Sequence, residues 1–136
     1  MDDEIIDLLR TARNIAVVGL SPEPYRPSHI VASYLQSQGY RVFPVNPEAD
    51  EILGEKCYPN LRAVPERIDI VDIFRRPEQV PDVVDEAIQV GARAVWMQLG
   101  VINEEAADKA RRAGLIVVMD RCIHVEHARL KERGLL

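Results

Sequence analysis

Two short runs carry side chains suited to holding an anion, and a third carries a glycine that lets a ligand come close. The first, Gly19-Leu20-Ser21-Pro22-Glu23-Pro24-Tyr25-Arg26-Pro27-Ser28, joins a glycine, two serine hydroxyls and a guanidinium. Pro22, Pro24 and Pro27 have no N–H, so the run cannot wrap an anion in backbone amides alone. The anion would instead meet the Gly19 to Ser21 amides, the Ser21 and Ser28 hydroxyls, the Arg26 guanidinium and the positive end of a following helix. The second run, Arg75-Arg76-Pro77, brings two more guanidiniums, although Arg76 reads equally well as a solvated charge. In the third, Gly100-Val101, the glycine permits close backbone approach to a ligand, as Gly19 does; both also suit an ordinary turn. Three arginines around one crevice suggest a ligand with several phosphates.

Other chemistry has less to stand on. Cys122 follows an apolar run beside Arg121 and two residues before His124, surroundings that can favour a thiolate; the plainer reading is a small residue packed under a helix. Cys57 lies in a polar stretch, and the two cysteines form no CxxC pairing, so a zinc ribbon is not supported. His124 and His127 stand at i and i+3 without a third ligand at matching spacing, so no metal is expected. His29 is placed early in a helix that can face a ligand. A P-loop needs a second glycine and a lysine that the first run lacks. Full GxGxxG is missing, and Asn46 stands where an NAD site would offer Asp or Glu to the ribose. Receiver-type phosphoacceptor acids are missing as well. No Ser-His-Asp ordering or paired-carboxylate motif supports a hydrolase or lyase.

The elements that must position these runs are strands and helices in alternation. Apolar, β-branched runs at residues 15–20, 41–45, 70–74, 94–99 and 115–119 predict five strands buried on both faces, as in a parallel sheet. Between them, Val80, Val83, Val84, Ala87 and Ile88 fall at helical spacing, with Pro77 in the first turn and Gly91 at the end. Asn103 can cap a helix whose first turn holds Glu104 and Glu105 and which stops at Gly114. An earlier helix opens near Pro27 and ends at Gly39. A first one holds Ile5, Ile6, Leu8 and Leu9, and a last one starts near Cys122. Trp96, inside an apolar strand, reads as core. Residues 48–67 are polar and irregular, with one short helix. The pattern predicts an α/β, doubly wound, five-stranded parallel sheet in a single domain, 1–136. Ligands of such sheets bind outside the carboxyl ends of the strands, which is where all three runs fall.

Composition sets the bounds. A chain of 136 residues, 47% hydrophobic and 5% aromatic, has room for one domain and needs no disulfide or metal staple. The net charge of -5 argues against a nucleic-acid footprint. No apolar run reaches the length of a membrane span, and Met1-Asp2-Asp3-Glu4 is acidic where a secretory signal is basic, so a cytoplasmic protein with free thiols is expected. Of the 17 basic residues, 14 are arginines, an excess that phosphate contacts or surface ion pairs would each explain.

Joined together, the runs Val17-Val18-Gly19-Leu20-Ser21-Pro22, Val45-Asn46-Pro47, Glu51-Ile52-Leu53-Gly54, Phe74-Arg75-Arg76-Pro77, Trp96-Met97-Gln98-Leu99-Gly100-Val101 and Val118-Met119-Asp120-Arg121-Cys122 resemble the stand-alone CoA-binding proteins. That family shares a Rossmann-like fold with the N-terminal domain of the succinyl-CoA synthetase α subunit. The resemblance implies coenzyme A as the ligand, with Gly19, Leu20 and Ser21 under its phosphates and Arg26 beside them. It implies Asn46, Pro47, Phe74 and Arg75 along the nucleotide part, and Gln98, Gly100 and Val101 where the synthetase subunit holds the ligand after its fourth strand. This chain lacks the synthetase's longer Gly-rich first loop. The synthetase's phosphorylated histidine belongs to a further domain, so His29, His124 and His127 do not carry over. The short length points to a binding module and away from a ligase. Three readings follow: a CoA or acyl-CoA binding module, regulatory or delivering CoA to a protein partner, with thiol redox chemistry open at Cys122; a small NAD(P)-dependent oxidoreductase; or an interaction protein with a vestigial pocket. None involves nucleic acid or a membrane.

Overall fold

Unbroken burial along the strands decides the architecture, because side chains that point to opposite faces are both covered. The computed structural model describes residues 2–136; Met1, the first residue of the acidic amino-terminal run, lies outside them. Helix α1 (Asp2–Thr11) precedes β1 (Asn14–Val18), α2 (Pro27–Ser37) and β2 (Arg41–Val45). A small hairpin, β3 (Glu51–Ile52) and β4 (Glu55–Lys56), follows. Then come β5 (Ile70–Ile73), α3 (Val80–Gln89), β6 (Ala94–Met97), α4 (Glu104–Arg112), β7 (Ile116–Met119) and α5 (Ile123–Glu132). The large sheet has five strands in the order β2-β1-β5-β6-β7, every neighbouring pair parallel.

This is the doubly wound sheet the sequence pattern predicts, with helices on both faces. On one face Ile15, Val17, Ile70 and Trp96 pack against α1, α2 and α5 through Leu8, Leu35 and Ile123. On the other, Ala16, Val18, Val71, Ile73 and Met97 meet Val80, Val84 and Ala87 of α3 and Ala106, Ala107 and Ala110 of α4. Trp96 is fully buried. Asn103 caps α4 as its position predicts, its Oδ1 accepting the Ala106 N–H at 3.0 Å.

Two details differ from the expectation. The strand at 41–45 is as expected, whereas the other four are shorter, and Leu20, Phe74, Leu99 and Leu115 lie beyond the ladders; apolar character continued past the last pairing, because Leu20 is fully buried in a loop. The connection 48–67 holds a 3-10 turn, Leu61–Ala63, and also the hairpin. Two-residue strands leave no period to read, and the hairpin turn places both Leu53 (φ 55°) and Gly54 (φ 76°) in the left-handed region. Among the described residues no helix is long and apolar enough to cross a membrane.

Candidate functional site

From β1 the chain moves outward to β2, then crosses back to lay β5 on the other side of β1. The reversal leaves a notch beyond Val18, which pairs with both Val45 and Ile73. Gly19 closes it. Its N–H donates to the Val45 carbonyl at 3.0 Å, and the Phe74 N–H donates to the Val18 carbonyl at 2.8 Å. At φ +88°, a Cβ on Gly19 would overlap the Phe74 carbonyl oxygen. The close approach this glycine allows is therefore that of its own chain, where the sequence alone suggested a ligand.

The first loop is held by its own groups. The buried Ser28 Oγ accepts the Ser21 N–H at 2.9 Å, the Ser21 Oγ accepts the Glu23 N–H at 3.1 Å, and the Ser21 carbonyl lies 2.9 Å from Nδ1 of His29. This corrects the expectation that the Gly19 and Ser21 amides face an anion, since each donates to an internal acceptor; the Ser28 hydroxyl accepts here and keeps its own O–H. Of the three amides, that of Leu20 has no hydrogen-bond partner among the described residues. Asn46 reaches across to the same loop, its Nδ2 donating to the Leu20 carbonyl at 3.0 Å while its Oδ1 accepts the Glu48 N–H at 2.8 Å. Pro47 is exposed beside it, and Arg26 is exposed at the N-cap of α2, 5.7 Å from the Tyr25 ring.

Arg75 lies between two hollows of about 410 Å³ each. In one, Val18, Val45, Asn60 and Arg62 face Asp82, Asp85 and Glu86 of α3, with Arg62 paired to Glu86 at 3.0 Å. The other is formed by Phe74, Arg75, Arg76, Gln79 and Val101, two guanidiniums and no carboxylate. Polyanions favour the second on electrostatic grounds. It also joins the run after β5 to the run after β6 through Val101.

The far side of the edge is a rigid corner. Gln98, buried, accepts the Ile123 N–H on its Oε1 at 3.1 Å and so caps α5. The Gly100 N–H donates to Oδ1 of Asp120 at 2.7 Å, and the Trp96 Nε1–H donates to the Arg121 carbonyl at 2.9 Å. Cys122 is the partly buried N-cap residue of α5, and the His124 ring stacks on Tyr34 at 3.8 Å. Cys57 is buried, which pushes its thiol pKa up, with Asp50 and Glu51 adding to the effect. Among the described residues no group of three His, Cys, Asp or Glu side chains is placed to hold a metal ion.

One residue was missed entirely. Asp72, in register with Val17 and Trp96, is fully buried, with no hydrogen bond to either carboxyl oxygen among the described residues. Burial pushes its pKa well above the usual carboxylate range. An acid inside an apolar run, Ile70-Val71-Asp72-Ile73, is the signal that could have found it.

Residues 13–128 match a family model described as a CoA binding domain. The chain is 46% identical over 125 residues to the Bacillus subtilis protein YneT, covering 92% of this chain and 93% of that one. It is 32% identical over 95 residues to acetate–CoA ligase [ADP-forming] II of Archaeoglobus fulgidus, covering 68% of this chain; the match spans only 14% of the ligase. A solved structure of a protein from Pyrococcus horikoshii OT3 superposes with a TM-score of 0.93 at 45% identity, over 96% of this chain and 92% of that one.

Proposed function

Because the chain belongs to the CoA binding domain family, we propose that it binds coenzyme A or an acyl-CoA along the carboxyl edge of its sheet, as a binding or regulatory module. The hollow of Phe74, Arg75, Arg76, Gln79 and Val101 carries this reading, since it offers two guanidiniums without an acid to the 3'-phosphorylated ADP group. Gly19, Leu20, Ser21 and Arg26 flank that group from the first loop, with Asn46 and Pro47 beyond β2. The pantetheine arm runs towards Gln98, Gly100 and Val101. Asn46 suits CoA, because a carboxylate in its place would repel a ribose phosphate. The nicotinamide-dependent alternative is not favoured by the family match.

Thermal-shift measurements with CoA, dephospho-CoA, NAD and NADP test the reading. Stabilisation by CoA that falls with dephospho-CoA supports it. Stabilisation by NAD alone would favour the oxidoreductase, and stabilisation by none the vestigial pocket. Arg75→Ala should weaken CoA more than dephospho-CoA; equal losses would mean that Arg75 does not read the 3'-phosphate.

A thiol reaction at Cys122 belongs to the same reading. The Cys122 thiolate attacks one sulfur of CoA disulfide, the sulfur–sulfur bond of that disulfide breaks, and one CoA leaves as thiolate while the other stays bonded to Cys122. Mass spectrometry after incubation with CoA disulfide should show one CoA adduct, lost in Cys122→Ser; no adduct at Cys122 would sink the idea.

A further inference from the structure

Among the described residues the exposed large hydrophobic side chains are Tyr25, Ile30, Leu99, Ile102 and Val125, and all five sit in loops or first helical turns beyond the carboxyl ends of the strands. Scattered singly such residues need no explanation; gathered on one rim they do. Leu99 is 71% exposed at the second position of a tight turn, closed by the Val101 N–H donating to the Gln98 carbonyl at 2.8 Å, with Gly100 at φ +84°. Nothing in that turn geometry requires leucine. The turn is also fixed in place, by Gly100 on Asp120 and by Gln98 on the first residue of α5, the helix that carries Val125.

The edge thus changes character along its length. Arg26, Arg75 and Arg76 stand on the β1 and β5 side, with Tyr25 and Ile30 beside Arg26, whereas Leu99, Ile102 and Val125 stand on the β6 and β7 side, where Arg121 is paired with Glu126. Free CoA matches the cationic half, and its small thiol leaves the apolar half uncovered. We infer that the ligand of this edge is a CoA thioester with an apolar acyl chain, laid over Leu99, Ile102 and Val125. This rests on the CoA reading and specifies its acyl group. Glu104 and Glu105, exposed at the start of α4 just beyond Ile102, oppose an acyl group that ends in a carboxylate.

Isothermal titration of the full chain with CoA, acetyl-CoA, succinyl-CoA and octanoyl-CoA tests the inference. A fully buried methylene gives about fourfold in affinity. An open ledge covers the chain on one side only, so octanoyl-CoA should bind about tenfold or more tighter than acetyl-CoA, and succinyl-CoA no tighter than acetyl-CoA. In the double variant Leu99→Ser, Ile102→Ser the ratio of octanoyl-CoA to acetyl-CoA affinity should fall to near one. A ratio within about twofold in the unmodified chain overturns the acyl assignment while leaving CoA binding intact, and so does a ratio that survives the double variant. Concentration-dependent association in sedimentation, dispersed by the same substitutions, overturns it in favour of a protein contact. Failure of all four compounds to bind removes the CoA reading itself.

Discussion

The two faces of the sheet are built differently. Against α3 and α4 the buried layer is apolar throughout, from Ala16 and Val18 to Val84 and Ala110. The four buried polar residues among those described, Ser28, Asp72, Gln98 and His127, all belong to the side of α2 and α5. Three have partners that fix a helix or loop: Ser28 holds the Ser21 amide, Gln98 caps α5, and the Tyr34 hydroxyl lies 2.8 Å from Nδ1 of His127, tying α2 to α5. Apolar packing is non-directional and can tolerate small slips, whereas hydrogen bonds fix orientation. The face under α2 and α5 therefore sets where the first loop and the α5 corner stand, and the face under α3 and α4 supplies bulk stability. Asp72 is the exception, a polar group on the directional face that directs nothing.

The contrast can be broken most strongly on the apolar face. Met97→Ala, at a fully buried position in the α3 and α4 layer, should cost about 2 to 5 kcal/mol. Urea denaturation should give the same loss at pH 5 and pH 8, because no titrating group is involved. On the other face Asp72 should make stability depend on pH. Its folded pKa is raised by burial above the ordinary 3.8. The folded state thus keeps a proton that the unfolded chain releases, so the full stability is present below pH 3.8 and is lost as pH rises towards the folded value. The loss amounts to about 1.4 kcal/mol for each pH unit in that window. Asp72→Asn keeps the shape and cannot ionise; the two proteins should match in stability at pH 3, and the variant should become progressively more stable above pH 4. Parallel curves across that range would show that Asp72 is ionised or hydrated in the folded protein.

Much of this arrangement was legible in the sequence, for physical reasons that also explain what was not. Strands buried on both faces read as continuous apolar runs, and helices show stop signals such as Gly39, Gly91 and Gly114, each at positive φ here. The topology then follows, and with it the edge where Gly19, Arg75 and Gly100 meet solvent. Side-chain pairing across the fold was not legible. The Ser21 amide looks like a donor for an anion until the loop folds and the Ser28 hydroxyl oxygen accepts it. Gln98 looks like a ligand contact until α5 arrives with an open N–H. Asp72 was absorbed into an apolar run because one polar residue among β-branched neighbours does not break the pattern.

Ser28→Ala tests whether the polar bonds of the α2 and α5 face position the edge or merely fill it. The substitution leaves the Ser21 amide without its acceptor, at a cost of about 1 to 3 kcal/mol; if Ser28 orients the loop, CoA affinity should fall beyond what that loss of stability explains at temperatures where the protein stays folded. A smaller effect should come from the far end of the same face. His127 has its pKa lowered below the ordinary 6.5, first by burial and then by Lys131 and His124. A depressed folded pKa means that its contribution is complete above pH 6.5 and is lost as pH falls through the folded value, since the unfolded chain takes up the proton first. Tyr34→Phe deletes the bond to Nδ1 and should remove about 1 kcal/mol at pH 7.5. If that bond only ties α2 to α5, CoA affinity should be unchanged in calorimetry at that pH. A parallel loss of affinity would instead extend the positioning role of this face along the whole length of α2, from the first loop to the histidine that anchors it.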